Sequence, residues 1–202
     1  MTEATQSPAI PHRRTWWPII LGIVAVVLVI ILALAVLWST LTVARERARL
    51  STAMYNSSTL ARACFTVAAG ARDQFPDHLA DAIATVPTKA WIDPRFGMLP
   101  PPAPPAGPIA AVKRYVDDHC DFYFAGANIR TSAVRKPFQI ILLYDKAPDP
   151  KNRVITFMDG HSETLDEGSS RFREAVDETN KNGLRVPADL RGPPLTVPPP
   201  PP

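Results

Sequence analysis

"PIILGIVAVVLVIILALAVLW", residues 18–38, decides how this chain is built. It lies inside a longer run, 15–44, that carries no charged side chain. An α-helix needs about 20 apolar residues to span the hydrocarbon core, so a helix over 15–44 is long enough to cross a bilayer. The Val and Ile content is no obstacle. In lipid the backbone must satisfy its own hydrogen bonds, and a helix is the one way a single segment can do so. Trp16, Trp17 and Trp38 bracket the run, where an interfacial aromatic belt belongs. The run exceeds the ~7–15-residue apolar region of a secretory signal, and no small-x-small cleavage site follows it. Two basic residues flank it on the N-terminal side (Arg13, Arg14) and three on the C-terminal side (Arg45, Arg47, Arg49). By that bare count the C-terminal side faces the cytoplasm.

Working outward, residues 1–14 are short and polar and are expected to be disordered. Toward the C-terminus, no Pro or Gly interrupts 41–69, so the helix is expected to continue as an amphipathic extension over 45–70. Leu50, Ala53, Met54, Leu60, Ala61, Cys64, Val67 and Ala68 recur at intervals of three and four, a stripe that should pack on whatever follows. Ser57 interrupts it, and Gly70 is the expected C-cap. The soluble part, 71–183, starts with a short helix in "FPDHLADAIATV" (75–86), bounded by Pro87. An irregular linker follows over 91–108, with a Pro-rich loop at 100–108. "IAAVKRYVDDHC" (109–120) is an amphipathic helix with Ile109, Val112, Tyr115 and Val116 on one face.

The period then changes. "CDFYFAG" (120–126) and "FQIILLYD" (138–145) read as strands, and "KAPDP" turns the chain after the second. "RVITFMDG" and "HSETL" flank Asp159-Gly160, which predicts a hairpin with a type I′ turn and positive φ at both residues. Ile155 and Phe157 should share one face, with Val154, Thr156 and Met158 on the other. A last helix over 166–183 is capped by Ser169 or Ser170, carries Phe172, Ala175, Val176 and Thr179 on one face, and stops at Gly183. The Pro-rich tail, 184–202, can neither pair in a sheet nor extend a helix and is expected to be an exposed polyproline II segment.

The 202 residues carry a net charge of +3 and include 23 prolines. No basic run interleaved with aromatics occurs, so nucleic acid is not an expected partner. No nucleophile elbow, G-x-S-x-G or phosphate-cradling glycine motif accompanies His12, His78, Ser162 or Ser169. The densest cluster of chemistry-bearing residues is Asp159, His161 and Glu163. Asp159 and Gly160 are assigned to the turn, and His161 and Glu163, two apart on a strand, to one face. A divalent cation such as Ca²⁺ is a weaker reading, because further ligands would have to come from His119, Asp117 or Asp118. Cys64 and Cys120 are the only cysteines. They are either two buried thiols or, if the domain is exported, one disulfide closing a loop of about 55 residues, worth ~4 kcal/mol in the chain-entropy model.

The order of parts resembles the bacterial prepilin-like proteins of the type IV pilin and type II secretion pseudopilin kind that carry an H-x9-DG domain. The resemblance rests on the apolar helix, "ARERAR" (44–49), "MYNSSTLARACFTVA" (54–68), "QFPDHLADA" (74–82) and above all "IILLYDKAPDPKNRVITFMDGHSETL" (140–165). Asp149 stands where that pattern has its histidine. "TWWPIILGIVAV" (15–26) lacks both the Gly-Phe-Thr-like processing site and the early Glu of pilin precursors, so the helix is expected to stay as a permanent anchor. The resemblance implies an α+β, pilin-like fold in which a long N-terminal helix packs on a small antiparallel sheet with short flanking helices. It implies a cytoplasmic N-terminus and an exported domain, against the basic-residue count, and it is the orientation adopted. It also implies a non-enzymatic role in the bilayer, by assembly with further copies of itself or with a secretion or envelope complex. A membrane-anchored ligand- or Ca-binding module is the alternative.

Overall fold

The computed structural model describes residues 16–83, 86–96, 100–146 and 151–184. The expected disordered N-terminus, the "APDP" turn with Asp149, His12 and the Pro-rich tail beyond Leu184 lie outside the described residues. Helix α1 (Trp17–Gly70) is followed by α2 (Leu79–Ile83), α3 (Ile109–His119), strands β1 (Phe122–Phe124), β2 (Ile141–Asp145), β3 (Arg153–Phe157) and β4 (Ser162–Leu165), and helix α4 (Ser170–Lys181). The chain divides into two units, Met1–Arg45 and Glu46–Pro202.

In the first unit the described residues are helical from Trp17 onward, and all are exposed. This is the one helix among the described residues long and apolar enough to cross a membrane. Its most apolar window has a mean hydropathy of 3.5, with none of it buried. Ser39, Thr40 and Thr42 turn their hydroxyls back onto the carbonyls of Val36, Leu37 and Ser39 at 2.8–2.9 Å. Their polar groups are thus satisfied within the helix.

The second unit is an α+β layer structure. The sheet has order β1-β2-β3-β4, with every pair antiparallel. One face carries Val154, Leu142, Leu143 and Phe122 against Ala53, Leu60, Ala61, Cys64 and Ala68 of α1. The other carries Ile141, Tyr144, Ile155 and Phe157 against Phe172, Ala175 and Val176 of α4. Because both faces are covered, β2 and β3 are buried at every position. Alternation along β3 places Ile155 and Phe157 on the α4 side and Val154 on the α1 side. In β2 the alternation breaks. A bulge between Ile141 and Leu143 lets Leu142 and Leu143 both face α1.

The stripe on α1 packs as its spacing requires, and its polar interruptions have partners. Asn56 Nδ2 donates to the carbonyls of Lys89 and Ile92 at 3.2 and 2.8 Å, which ties the 3₁₀ turn Thr88–Trp91 to the helix. Ser57 meets Thr156 at 2.6 Å, Thr156 meets Ser162 at 2.6 Å, and Ser162 meets Ser58 at 2.8 Å. These four hydroxyls join α1 to the β3–β4 hairpin.

Three local expectations are corrected. Gly70 ends α1 without a positive φ. The left-handed residues are Arg72 (φ 56) and Asp73 (φ 62), and the Asp73 N–H returns to the Ala68 carbonyl at 2.9 Å. The hairpin turn is not type I′, since Gly160 alone has positive φ (89). Phe157 N–H donates to His161 O, and Gly160 N–H donates to Phe157 O, both at 2.9 Å, so the loop has three residues. Met158 is the cause: it is buried, and its N–H goes to Ile140 O, outside the hairpin ladder. Finally, "FQIILLYD" is a strand only from Ile141, because Pro137–Gln139 forms a 3₁₀ turn.

Helix α4 follows its end signals. Ser169 accepts from Phe172 N–H at 3.1 Å. Gly183 (φ 78) donates to Asn180 O and Leu184 to Thr179 O, the two bonds of a Schellman motif. Thr179 Oγ1 accepts the buried Ile141 N–H at 2.9 Å, where the bulge leaves it off the ladder. Thr179→Val keeps the shape and orphans that donor, so a loss of about 1–3 kcal/mol is expected in urea unfolding, with Thr179→Ser close to wild type.

Candidate functional site

The hairpin cluster forms because His161, just before β4, and Glu163 on it lie on the α4 side of the sheet. His161 stacks on Phe157, with ring centroids 4.5 Å apart and planes 6° apart. Its Nδ1 meets Asp159 Oδ1 at 2.5 Å, and Asp159 also accepts the His161 N–H at 3.1 Å. Nε2 lies 3.8 Å from Glu163 Oε1. Arg171 of α4 donates to the same Glu163 oxygen at 3.2 Å and to the Phe138 carbonyl at 3.1 Å. The acid, base and cation therefore satisfy one another, and Asp159 serves the turn through its backbone contact as well.

Two of the three further ligands named for a cation at this hairpin are engaged elsewhere, and the third, Asp118, is an exposed residue of α3. Asp117 pairs with His78, and His119 stacks on Tyr115 at 4.0 Å with its Nδ1 on the Tyr115 carbonyl. Among the described residues, no group of three or more His, Cys, Asp or Glu is placed to hold a metal ion. Ser162 is in the hydroxyl chain, and Ser169 is the α4 cap.

A second polar constellation went unread in the sequence. Asp93 and Asp145 are fully buried, and Arg95 bridges them. Arg153 donates to the Asp145 carbonyl at 2.8 Å and pairs with Glu167. Asp145 Oδ2 also accepts Val154 N–H at 2.8 Å. Burial pushes the Asp145 carboxyl up to about 6, against the lowering pull of Val154 N–H, Arg95 and Arg153. Asp121, which accepts the Asp93 N–H at 2.8 Å, is also raised, mainly by burial. The cluster pins the "WIDPR" loop to the ends of β2 and β3. Its only signal in the sequence was an Asp ending an apolar strand, a pattern shared by many ordinary turns.

A cleft of about 240 Å³ runs along β1. All three β1 residues line it, facing Leu79, Asp117 and Lys146 across the opening. His78 contributes no free nitrogen there: Nδ1 accepts the Ala80 N–H at 3.0 Å, and Nε2 meets Asp117 Oδ1 at 3.0 Å. The Lys146 ammonium sits 4.7 Å over the Tyr123 ring and donates to the Asp117 carbonyl at 2.7 Å.

Cys64 and Cys120 are both buried and both free thiols, in one core cluster. Burial pushes each up to about 12, the neighbouring thiol adding to the effect at Cys64, so neither is a thiolate at neutral pH. A thiol reagent is expected to be silent on the native protein and to titrate both cysteines in denaturant. A blank titration under non-reducing denaturing conditions would instead establish the disulfide.

Comparison with protein-family models, with curated proteins and with solved structures finds no match to the chain. The architecture itself is pilin-like: a long apolar N-terminal helix whose C-terminal part packs on a four-stranded antiparallel sheet.

Proposed function

We propose that the chain is a single-pass, membrane-anchored assembly protein of the pseudopilin-like kind, acting by protein contact and not by catalysis. The observation that carries this reading is the division of labour along α1. Its first part has a window of hydropathy 3.5 with nothing buried, while its later part supplies Ala53, Leu60, Ala61 and Cys64 to the core. A chain that exposes so much apolar surface on one helix calls for lipid around it. The polar clusters support the same reading, since their charges are spent on one another.

The N-terminus is placed in the cytoplasm and the sheet domain outside, where Arg45, Arg47 and Arg49 meet anionic headgroups. Partners are the bilayer, further copies of the chain and a secretion or envelope complex. Amine-reactive crosslinking in native membranes is expected to give multimers, and protease added to intact spheroplasts to digest the sheet domain. Monomers alone would remove the assembly role, and full protection of the domain would reverse the orientation.

A further inference from the structure

We propose that residues 100–108 are a displayed polyproline II ligand, held rigid against α3 for the aromatic-lined groove of a partner protein. This rests on the contact role proposed above and names the chemistry of one partner. The loop lies wholly within the second unit.

The conformation follows from the residues. The loop reads Pro100, Pro101, Pro102, Ala103, Pro104, Pro105, Ala106, Gly107, Pro108. From 100 to 105 every residue is a proline or precedes one. The proline ring fixes φ at about −65°, and it pushes the residue before it out of the α region. Both restrictions converge on polyproline II, a left-handed helix with a period of three and no internal hydrogen bonds. The run belongs to no helix or strand, and Pro108 closes it with φ −60 and ψ 144.

Burial keeps that period. Pro101 and Pro104 are half-buried, while Pro100, Pro102, Ala103, Pro105 and Ala106 are exposed. One ridge of the polyproline helix therefore rests on the domain, and the other two face solvent. Tyr115 of α3 fixes the seat, its hydroxyl donating to the Pro102 carbonyl at 3.0 Å. His119 stacks on the Tyr115 ring and steadies it. A passive spacer would be exposed at every position and tied to nothing.

The outer ridges decide the partner. Pro102 with Ala103 and Pro105 with Ala106 form two exposed pairs one turn apart. Exposed Ile109 carries the apolar surface on into α3. No charged residue occurs from 96 to 112, so a strongly charged partner gains nothing here. Prolines lack an N–H, so the outward backbone offers carbonyls and few donors. Lipid is a poor occupant, because those carbonyls would go unpaired in hydrocarbon. The matching surface is a protein groove lined with aromatic rings, the mode in which polyproline II segments are read. Since the run is already ordered, docking forfeits little conformational entropy.

The test uses full-length protein in detergent. The probes are three purified domains with unrelated aromatic grooves, an SH3, a WW and an EVH1 domain, each titrated by fluorescence anisotropy. At least one is expected to bind. Pro102→Ala with Pro105→Ala should weaken that binding several-fold and leave the Tm unchanged, since both rings are exposed. If that pair lowers the Tm, Ala103→Asp with Ala106→Asp, also at exposed positions, should weaken binding to the same degree. Binding that survives the loop variants would overturn the proposal, the proline run at 198–202 then being the ligand. So would no binding by any of the three domains. Either outcome leaves the multimers in native membranes as they stand, and with them the contact role.

Discussion

Asp145→Ala is expected to lose about 3–5 kcal/mol of unfolding free energy, measured by urea titration of the detergent-solubilised protein followed by near-ultraviolet circular dichroism. The carboxylate is fully buried, accepts the Val154 N–H, and holds Arg95 and Arg153 where the loop meets the sheet. Truncation leaves a buried backbone donor and two guanidinium groups short of an acceptor. Asp145→Asn keeps the shape and an accepting oxygen while removing the buried charge, so it should cost far less.

The pH dependence follows from the same group. Its folded pKa of about 6 lies above the ordinary 3.8, so the folded state binds the proton more tightly than the unfolded chain. The resulting stabilisation is fully present below about pH 4 and is lost as pH rises through 6. Acidification from pH 7 to 4 should therefore raise stability, on the order of 1–3 kcal/mol from Asp145, with Asp121 acting in the same direction. In Asp145→Asn that part of the rise should vanish. A wild-type protein that loses stability steadily over this window would contradict the reading.

The second large effect concerns the anchor. Leu28→Arg combined with Ile31→Arg should move most of the protein out of the carbonate-resistant membrane pellet. On the insertion scale, Leu, Ile and Val contribute about −0.3 to −0.6 kcal/mol each and a central arginine about +2.5 to +3.5. The 14 Leu, Ile and Val residues within 19–36 are favourable by roughly 4–8 kcal/mol, and two arginines cancel most of that. The conservative pair Leu28→Ile with Ile31→Leu should behave as wild type.

Much of the fold was legible because periodicity reports burial. The 30-residue uncharged run, the three-and-four stripe on α1, the Ser169 cap and the Gly183 stop each carry their physics locally. The failures are long-range. The type I′ turn was displaced because Met158 answers to Ile140, outside the hairpin. The bulge in β2 depends on Thr179, 38 residues away, catching the Ile141 N–H. Ser57 looked like a defect in an apolar stripe, and only the partner strand shows that it is a contact. For the candidate site, the Asp159, His161 and Glu163 grouping was visible. Arg171, which spends Glu163, was hidden by a strand-to-helix crossing, and the Asp93–Arg95–Asp145 cluster by a separation of 50 residues.

The hydroxyl chain from Ser57 and Ser58 to Thr156 and Ser162 spans sequence separations of 99 and 104. The outer part of α1 thus waits for a hairpin made about a hundred residues later. During biogenesis the helix can lodge early, but its inner stripe has no cover until the β3–β4 arm arrives about a hundred residues later. Non-local closure of this kind slows folding and prolongs the exposure of sticky intermediates. The stripe on α1 therefore stays uncovered until Thr156 and Ser162 have been made.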